Sequence, residues 1–415
     1  MPARLDRPTA VICAIGALNA MGFGLIMPVM PDLLADLGLG SVSRAAAVGG
    51  LLSLVFALMQ FLFSPLLGAL SDRFGRRPVL LGSLALSVLD YLLMAVAPAL
   101  WLIFVGRVLS GLSSATFAVA SAYLADRSDG PGRARSFGLL GAAAGLGFVM
   151  GPLLGGLLGG LGPRVPFLAA AFLSLLALGV ATFVLPETLE ATRRRPILIS
   201  DLNPLAALFS AAAKLPTAPL AALFLDAVAG FTVPAVWAYF GAARFGWDAA
   251  MIGLSFGIMG VGYALAQALL VRPLGRRLGN LGLARCALLA GIAGFLGMAV
   301  APTGAIALAI LPIFALLSLA RTGLSAEISL SVPQKLQGRV QGTLASLSAL
   351  ASIIAFPLMS QVFARGSGVA NPSTWSTGAP FLLAALFCAL ALLCVIPPTR
   401  RLRSTTPPLL LSRTP

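Results

Sequence analysis

The chain contains no histidine. The side chain that most readily titrates near neutral pH is therefore missing, and with it the commonest ligand of transition metals. Acids are scarce too: Asp and Glu number 13 in 415 residues, and charged residues of both signs reach only 10%. A soluble domain carries about 25%, so this chain does not present an ordinary water-facing surface. The four cysteines (Cys13, Cys286, Cys388 and Cys394) are scattered through apolar runs at no metal-binding spacing, and are expected to be buried free thiols. A membrane enzyme would gather nucleophiles, metal ligands or paired acids at one depth. None are gathered here, so the chain reads as neither an enzyme nor a holder of metal or cofactor. The net charge of +15 does not imply nucleic acid, because the arginines form no single basic face.

What the chain has in abundance is apolar length. Hydrophobic residues make up 59%, and the mean hydropathy is +0.99. Runs long enough to cross a bilayer fall at roughly 9–34, 45–70, 78–98, 100–124, 136–161, 165–185, 217–242, 249–271, 283–301, 304–330, 340–364 and 377–397. The expected class is an all-α membrane protein of twelve helices. The longest polar break runs from Pro186 to Pro216. It divides the chain into a six-helix half (1–185), a central cytoplasmic loop (186–216) and a second six-helix half with a short tail (217–415).

Basic residues set the orientation. With the N-terminus inside, twenty-two Lys and Arg fall in inner loops and tails and four in outer loops. Arg107 and Arg321 lie within spans. Both termini should be cytoplasmic. A faint repeat relates the halves: Ala57-Leu-Met-Gln60 in span 2 matches Ala264-Leu-Ala-Gln267 in span 8. At the same offset Gly68 falls on Gly275 and Gly75 on Gly282, whereas Asp72 falls on Gly279.

Three acids lie inside spans: Asp90, Asp226 and Glu327. An ionised group at mid-bilayer costs at least about 2.5 kcal/mol, so it persists when paired, hydrated or useful. A carboxyl removed from water holds its proton more readily. In a chain without histidine, any proton carrier is expected among these acids, with Asp90 and Asp226 leading. Arg107 cannot shed its charge and must find acceptors or an aqueous cavity. Arg321 either binds an anionic ligand group or pairs with Asp226 or Glu327. Asn19, Gln60, Tyr91, Trp237 and Gln267 are the polar and aromatic candidates for lining a substrate cavity. Span 5 carries Gly147, Gly151, Gly155 and Gly159 at four-residue spacing, a face for close helix packing.

Between spans 2 and 3 stands Gly68-Ala-Leu-Ser-Asp-Arg-Phe-Gly-Arg-Arg77, read as a tight charged loop at the membrane surface. Gly68, Asp72, Arg73, Gly75, Arg76 and Arg77 resemble the signature of the major facilitator superfamily, which implies two six-helix halves related by pseudo-two-fold symmetry. Gly106-Arg-Val-Leu-Ser-Gly111 resembles the span-4 motif of its proton-coupled members, whose arginine is linked to proton transfer. Gly147, Gly151, Pro152, Gly155 and Gly156 resemble the motif of its drug antiporters. Met21-Gly-Phe-Gly-Leu-Ile-Met-Pro-Val-Met-Pro31, Leu58-Met-Gln-Phe-Leu-Phe-Ser-Pro65, Leu89-Asp-Tyr-Leu-Leu93 and Arg244-Phe-Gly-Trp247 are similar to the bacterial tetracycline efflux antiporters. That resemblance implies proton-coupled export of a drug-like amphipathic compound by alternating access, in the bacterial cytoplasmic membrane. It implies tetracycline as the substrate, carried as a magnesium chelate, and the proton gradient as the energy source. The Asp72 loop is expected to act as a gate, and the exporter to work as a monomer in the lipid bilayer. Three positions depart from the family: Asn19 and Gly294 stand where gram-negative members carry acids, and Tyr263 where they carry histidine. Fewer acids favour an alternative, the export of another amphipathic drug or a metabolite. Nutrient uptake through the same fold is a weaker alternative.

Overall fold

The computed structural model describes residues 6–114, 116–128, 130–190, 192, 194–197, 215–333, 337–368 and 374–396. Most of the predicted central loop and all of the predicted C-terminal tail lie outside the described residues. Fifteen α-helices are present among the described residues. In the N-terminal half they are α1 (Arg7–Ile26), α2 (Met30–Asp36), α3 (Val42–Phe74), α4 (Arg76–Val96), α5 (Leu100–Ser113), α6 (Thr116–Arg127), α7 (Gly130–Gly159) and α8 (Val165–Val184). In the C-terminal half they are α9 (Thr217–Gly230), α10 (Thr232–Phe245), α11 (Ala249–Val300), α12 (Gly304–Ala315), α13 (Ser318–Leu330), α14 (Gln337–Ser367) and α15 (Thr374–Val395).

Eleven helical stretches are long and apolar enough to cross a membrane, and one of them contains two crossings. Helix α11 runs for 52 residues. At 1.5 Å per residue it would measure about 78 Å, more than twice a bilayer core. Gly279, with φ 70° and ψ 177°, breaks it, so residues 249–278 and 280–300 are spans 8 and 9 of twelve. The loops expected at 68–77 and between 271 and 283 are accordingly almost wholly helical. Gly75 (φ 110°) alone separates α3 from α4. The repeated break therefore pairs Gly75 with Gly279, three residues short of the predicted partner. Gly282 is helical.

Four spans are interrupted near their middle, and they are every third one: span 1 between α1 and α2, span 4 between α5 and α6, span 7 at Phe231, and span 10 between α12 and α13. Local chemistry explains the breaks in spans 1, 4 and 10. Pro28 and Pro31 lack the N–H that would continue span 1, and Pro312 does the same ahead of the span 10 break. In span 4, the hydroxyls of Ser113, Ser114 and Thr116 donate to the carbonyls of Ser110 (3.0 Å), Gly111 (2.7 Å) and Ser113 (2.6 Å), competing with the helical ladder.

Each half is a bundle of its own. In the first, α1 packs on α7 and α4 on α8; in the second, α11 packs on α15, α13 and α12. Two helix pairs make the main joints between the halves, α3 with α14 and α7 with α11, and α10 adds smaller contacts with α3 and α2. Both joints rest on glycine. A Cβ on Gly156 would stand 2.9 Å from Gly253 Cα, and one on Gly50 would stand 3.1 Å from the Phe356 carbonyl. The Ser43 hydroxyl donates to the Ala364 carbonyl across the α3–α14 joint at 2.7 Å. The opposite side of α7 meets α1, where a Cβ on Gly147, Gly151 or Gly155 would strike the carbonyls of Ala17, Met21 or Leu25. Helix α7 therefore uses two glycine faces, not the one read from the sequence. Gly253→Val is expected to separate the α7–α11 joint, since a β-branched side chain has no room beside the Pro152 carbonyl and overpacking costs about 1–3 kcal/mol. A lowered melting temperature of the purified protein, with reduced transport, checks this; an unchanged melting curve would refute it.

The outer surface is apolar: Phe183 is 91% exposed and Leu161 76%, as befits side chains that meet lipid. The thiols do not share one environment. Cys13 and Cys388 are buried as expected, but Cys286 is exposed and Cys394 only partly covered, because each lies on an outward helix face.

Candidate functional site

The charged segment between α3 and α4 folds as two abutting helix ends. Gly75 is required by its positive φ and by space, since a Cβ there would meet the Glu187 carboxylate. That carboxylate accepts the backbone N–H groups of Arg76 (2.9 Å) and Arg77 (3.2 Å). It thus caps the N-terminus of α4, where unpaired amides and the helix dipole favour an anion. Arg76 is the hub: Nη1 lies 2.5 Å from Asp72 Oδ1, Nε lies 2.9 Å from Asp126 Oδ2, and Nη1 donates to Ser71 Oγ at 2.6 Å. Arg77 Nη2 donates to the Thr182 carbonyl at 2.7 Å. Arg73 is exposed and its guanidinium lies over the Phe74 ring at 5.2 Å. Gly68 accepts the Ser71 hydroxyl at 2.9 Å. These bonds stay within the N-terminal half and the first residues of the central loop, and none reaches the C-terminal half. Neither Asp126 nor Glu187 stands out in the sequence, because nothing local ties them to Arg76, 50 and 111 positions away.

Deeper, α4 and α5 bring Asp90 and Arg107 together. Asp90 is 1% exposed and Arg107 5%. Arg107 Nη2 lies 4.0 Å from Asp90 Oδ2, the oxygen that also accepts the Ser110 hydroxyl. Asp90 Oδ1 and Arg107 Nε and Nη2 are buried without a hydrogen-bond partner. This is a charge pair held beyond hydrogen-bond distance. In the other half, Asp226 on α9 is 4% exposed, and its Oδ1 is likewise unpartnered.

Two cavities lie among these groups. The larger, about 950 Å³, runs between the halves and is lined by Asn19, Gln60, Tyr91, Arg107 and Arg321 among others. It extends along Ser64, Pro65, Phe117 and Gln341 toward the face that bears the charged segment. The opposite face is closed by the α3–α14 and α7–α11 joints. Two ring pairs, Phe23–Phe56 and Phe231–Phe356, each with centroids 5.5 Å apart, also stand on this wall, one pair from each half. Nothing in the sequence separates these four rings from the other phenylalanines. The smaller cavity, about 340 Å³, is lined by Asp226, Tyr263, Gln267 and Arg321.

Two expected cavity residues sit elsewhere. Trp237 is 1% exposed and lines neither cavity. Its Nε1 donates to Ser255 Oγ at 2.8 Å and its ring packs against Phe240, Trp247 and Phe381, so a side chain read as a ligand contact is core. Gln267 faces the smaller cavity, where its amide donates to Thr322 Oγ1 at 3.0 Å and to the Ser318 carbonyl at 3.1 Å. Arg321 does not pair with Glu327, which accepts Asn280 Nδ2 at 3.3 Å; its Nη1 donates to Ser348 Oγ at 3.3 Å.

The profile of the Major Facilitator Superfamily matches residues 12–356. The sequence is 41% identical to the class C tetracycline resistance protein of Escherichia coli over 381 residues, 91% of this chain and 94% of that protein. It is 40% identical to the class G tetracycline resistance protein of Vibrio anguillarum over 397 residues, 92% of this chain and 96% of that protein. The human organic anion transporter MFSD10 shares the fold, with a TM-score of 0.69 at 24% identity, over 94% of this chain and 99% of that one.

Proposed function

The chain belongs to the major facilitator superfamily, and on that premise we propose that it exports tetracycline across the bacterial cytoplasmic membrane in exchange for protons. The observation that carries this reading is the 41% identity to a tetracycline resistance protein over more than nine-tenths of both chains. The excess of basic residues on one face supports a reading in which that face, and both termini, are cytoplasmic. The larger cavity then opens inward while the two glycine joints seal the outside, the state in which an exporter loads. Alternating access follows if the halves rock about the cavity. In the outward state the Asp72 segment closes the cytoplasmic side against the other half by charge-assisted hydrogen bonds or by a helix N-terminus.

Asp90 and Asp226 are the proton acceptors of this scheme. Each is taken out of water within the membrane, and each has an oxygen free of hydrogen bonds. A proton that reaches Asp90 from outside cancels its attraction for Arg107 and lets the pair part; loss of that proton inside restores it. Asn19, Gln60 and Tyr91 on the cavity wall supply a few polar contacts in an apolar pocket, which suits an amphipathic ligand. The exporter acts as a monomer, each chain holding a complete cavity.

Inverted membrane vesicles with an acid interior test the reading. Tetracycline is expected to accumulate above the level of vesicles without the protein and to leak out when a protonophore collapses the gradient. Absence of uptake, with the protein folded and present, would overturn the assignment. It would redirect the search to phenicols, dyes and quaternary amines.

A further inference from the structure

The two cavities repeat one another. The larger takes Asn19, Gln60 and Arg107 from the first, second and fourth spans of the N-terminal half. The smaller takes Asp226, Gln267 and Arg321 from the first, second and fourth spans of the C-terminal half. At the offset that sets Gln60 on Gln267, Asn19 falls on Asp226. Each half thus holds an arginine in its fourth span and a buried acid. The acid sits in the third span of the first half (Asp90) and in the first span of the second (Asp226). Arg107 stays beside its acid, at 4.0 Å. Arg321 does not: its Nη1 donates to Ser348 Oγ on α14 at 3.3 Å, while Asp226, 4% exposed, leaves Oδ1 without a hydrogen bond.

Both groups stand beside breaks. Asp226 is in the last turns of α9, just ahead of the interruption at Phe231, and Arg321 is in the first turn of α13, just past the interruption of span 10. A broken helix bends at its break, so the distance between the two changes when the half-helices tilt. Both border the smaller cavity, whose 340 Å³ leaves room for a guanidinium to move. Among the described residues, Arg321 of α13, Tyr263 of α11 and Cys388 of α15 are the charged or titratable groups that face Asp226; α10 and α14, which also pack on α9, add none. Arg321 is the one cation of this set. An ionised carboxylate buried without a partner is costly. A state that brings Arg321 to it is favoured while Asp226 is ionised, and a state that leaves Arg321 on Ser348 is favoured once Asp226 is protonated. We infer that Arg321 is a positioning residue for Asp226: its guanidinium leaves Ser348 and pairs with the ionised carboxylate as the protein turns outward, and a proton on Asp226 releases it. The inference rests on the efflux reading, in which this structure is the inward state, and deepens it. The pair then closes on the drug-loaded turn outward and opens when a proton arrives from outside.

Ser43 reads the outward state without any drug. It lies in the α3–α14 joint, where its hydroxyl donates to the Ala364 carbonyl, and a reagent from outside reaches it when that joint opens. The full chain carrying Ser43→Cys, with its four native cysteines replaced by serine, is placed in right-side-out vesicles and labelled with a membrane-impermeant maleimide. Labelling is expected to fall about tenfold in Arg321→Gln and in Asp226→Asn, the value of one charge-assisted hydrogen bond. The double variant should fall no further than either single one, because both remove the same interaction. Arg321→Lys should recover most of the loss, and acid outside should lower labelling of the parent more than that of Arg321→Gln. Unchanged labelling by Arg321→Gln, additive losses in the double variant, or no recovery with lysine overturns the inference. If labelling follows the pair but vesicles with the protein take up no tetracycline, the drug assignment falls and the pair stands. Tetracycline uptake with labelling indifferent to Arg321 removes the pair and leaves the efflux reading standing. Should the Arg321 variants fail to reach the membrane, Ser348→Ala decides. It frees the guanidinium and is expected to raise labelling about two- to fivefold; no rise overturns the inference.

Discussion

Asp72→Asn is expected to abolish transport while the protein stays in the membrane at normal levels. In this structure the Asp72 carboxylate is half exposed and meets Arg76 one helical turn away. An exposed pair of this kind contributes about 0–1 kcal/mol. Arg76 keeps Asp126 and Ser71 when Asp72 is neutralised, so folding and insertion should barely notice. The damage falls on the outward state, where Asp72 is proposed to meet the other half. A charge-assisted hydrogen bond there is worth about 1.5–3 kcal/mol, and each 1.4 kcal/mol is tenfold in population. Loss of the carboxylate therefore shifts the balance inward by about 10- to 100-fold. Drug accumulation in inverted vesicles, normalised to an immunoblot, measures it. Wild-type export by the variant would remove Asp72 from the gate. Glu187→Gln is the natural comparison, because Glu187 serves the N-terminus of α4 in this state already and its loss should lower stability as well as transport.

Asp90→Asn should uncouple the protein from the proton gradient. The amide matches the carboxylate in size and still meets Ser110, so the packing of α4 on α5 survives. What disappears is the titrating group. It leaves Arg107 buried without an acid; breaking a buried pair costs about 3–5 kcal/mol. This pair lies at 4.0 Å, and Arg107 borders an open cavity, so the cost here falls toward or below the lower end. Gradient-driven accumulation is expected to drop at least tenfold, while exchange of labelled for unlabelled drug at equilibrium, which needs no proton, continues. Unchanged proton-driven export by Asp90→Asn would exclude Asp90 as the carrier and leave Asp226 to be tested by the same substitution.

Asp90 and Arg107 show how far the sequence alone reaches at the site. Each stands out there as a charge inside an apolar run, because composition is local and an ionisable group at membrane depth is unusual wherever it falls. Their distance, and the serine between them, depend on how α4 packs against α5. Trp237 shows the converse error: an indole in a span is equally suited to a cavity wall and to a core, and only its neighbours Phe240, Trp247 and Phe381 decide.

By itself, the sequence determined the twelve apolar crossings, the division into halves and the charged segment between spans 2 and 3, since hydrophobic length and positions of arginine are properties of consecutive residues. It also held the family resemblance, in short contiguous motifs. The tertiary structure alone decided the rest. It showed that Glu187 and Asp126 serve Arg76, that glycines of α7 close one face against α11, that Gly279 and not Gly282 repeats the break at Gly75, and that Arg321 answers to neither Asp226 nor Glu327 as an ion pair. Those are relations between residues tens to hundreds of positions apart, brought together by helix packing, and no local pattern encodes them.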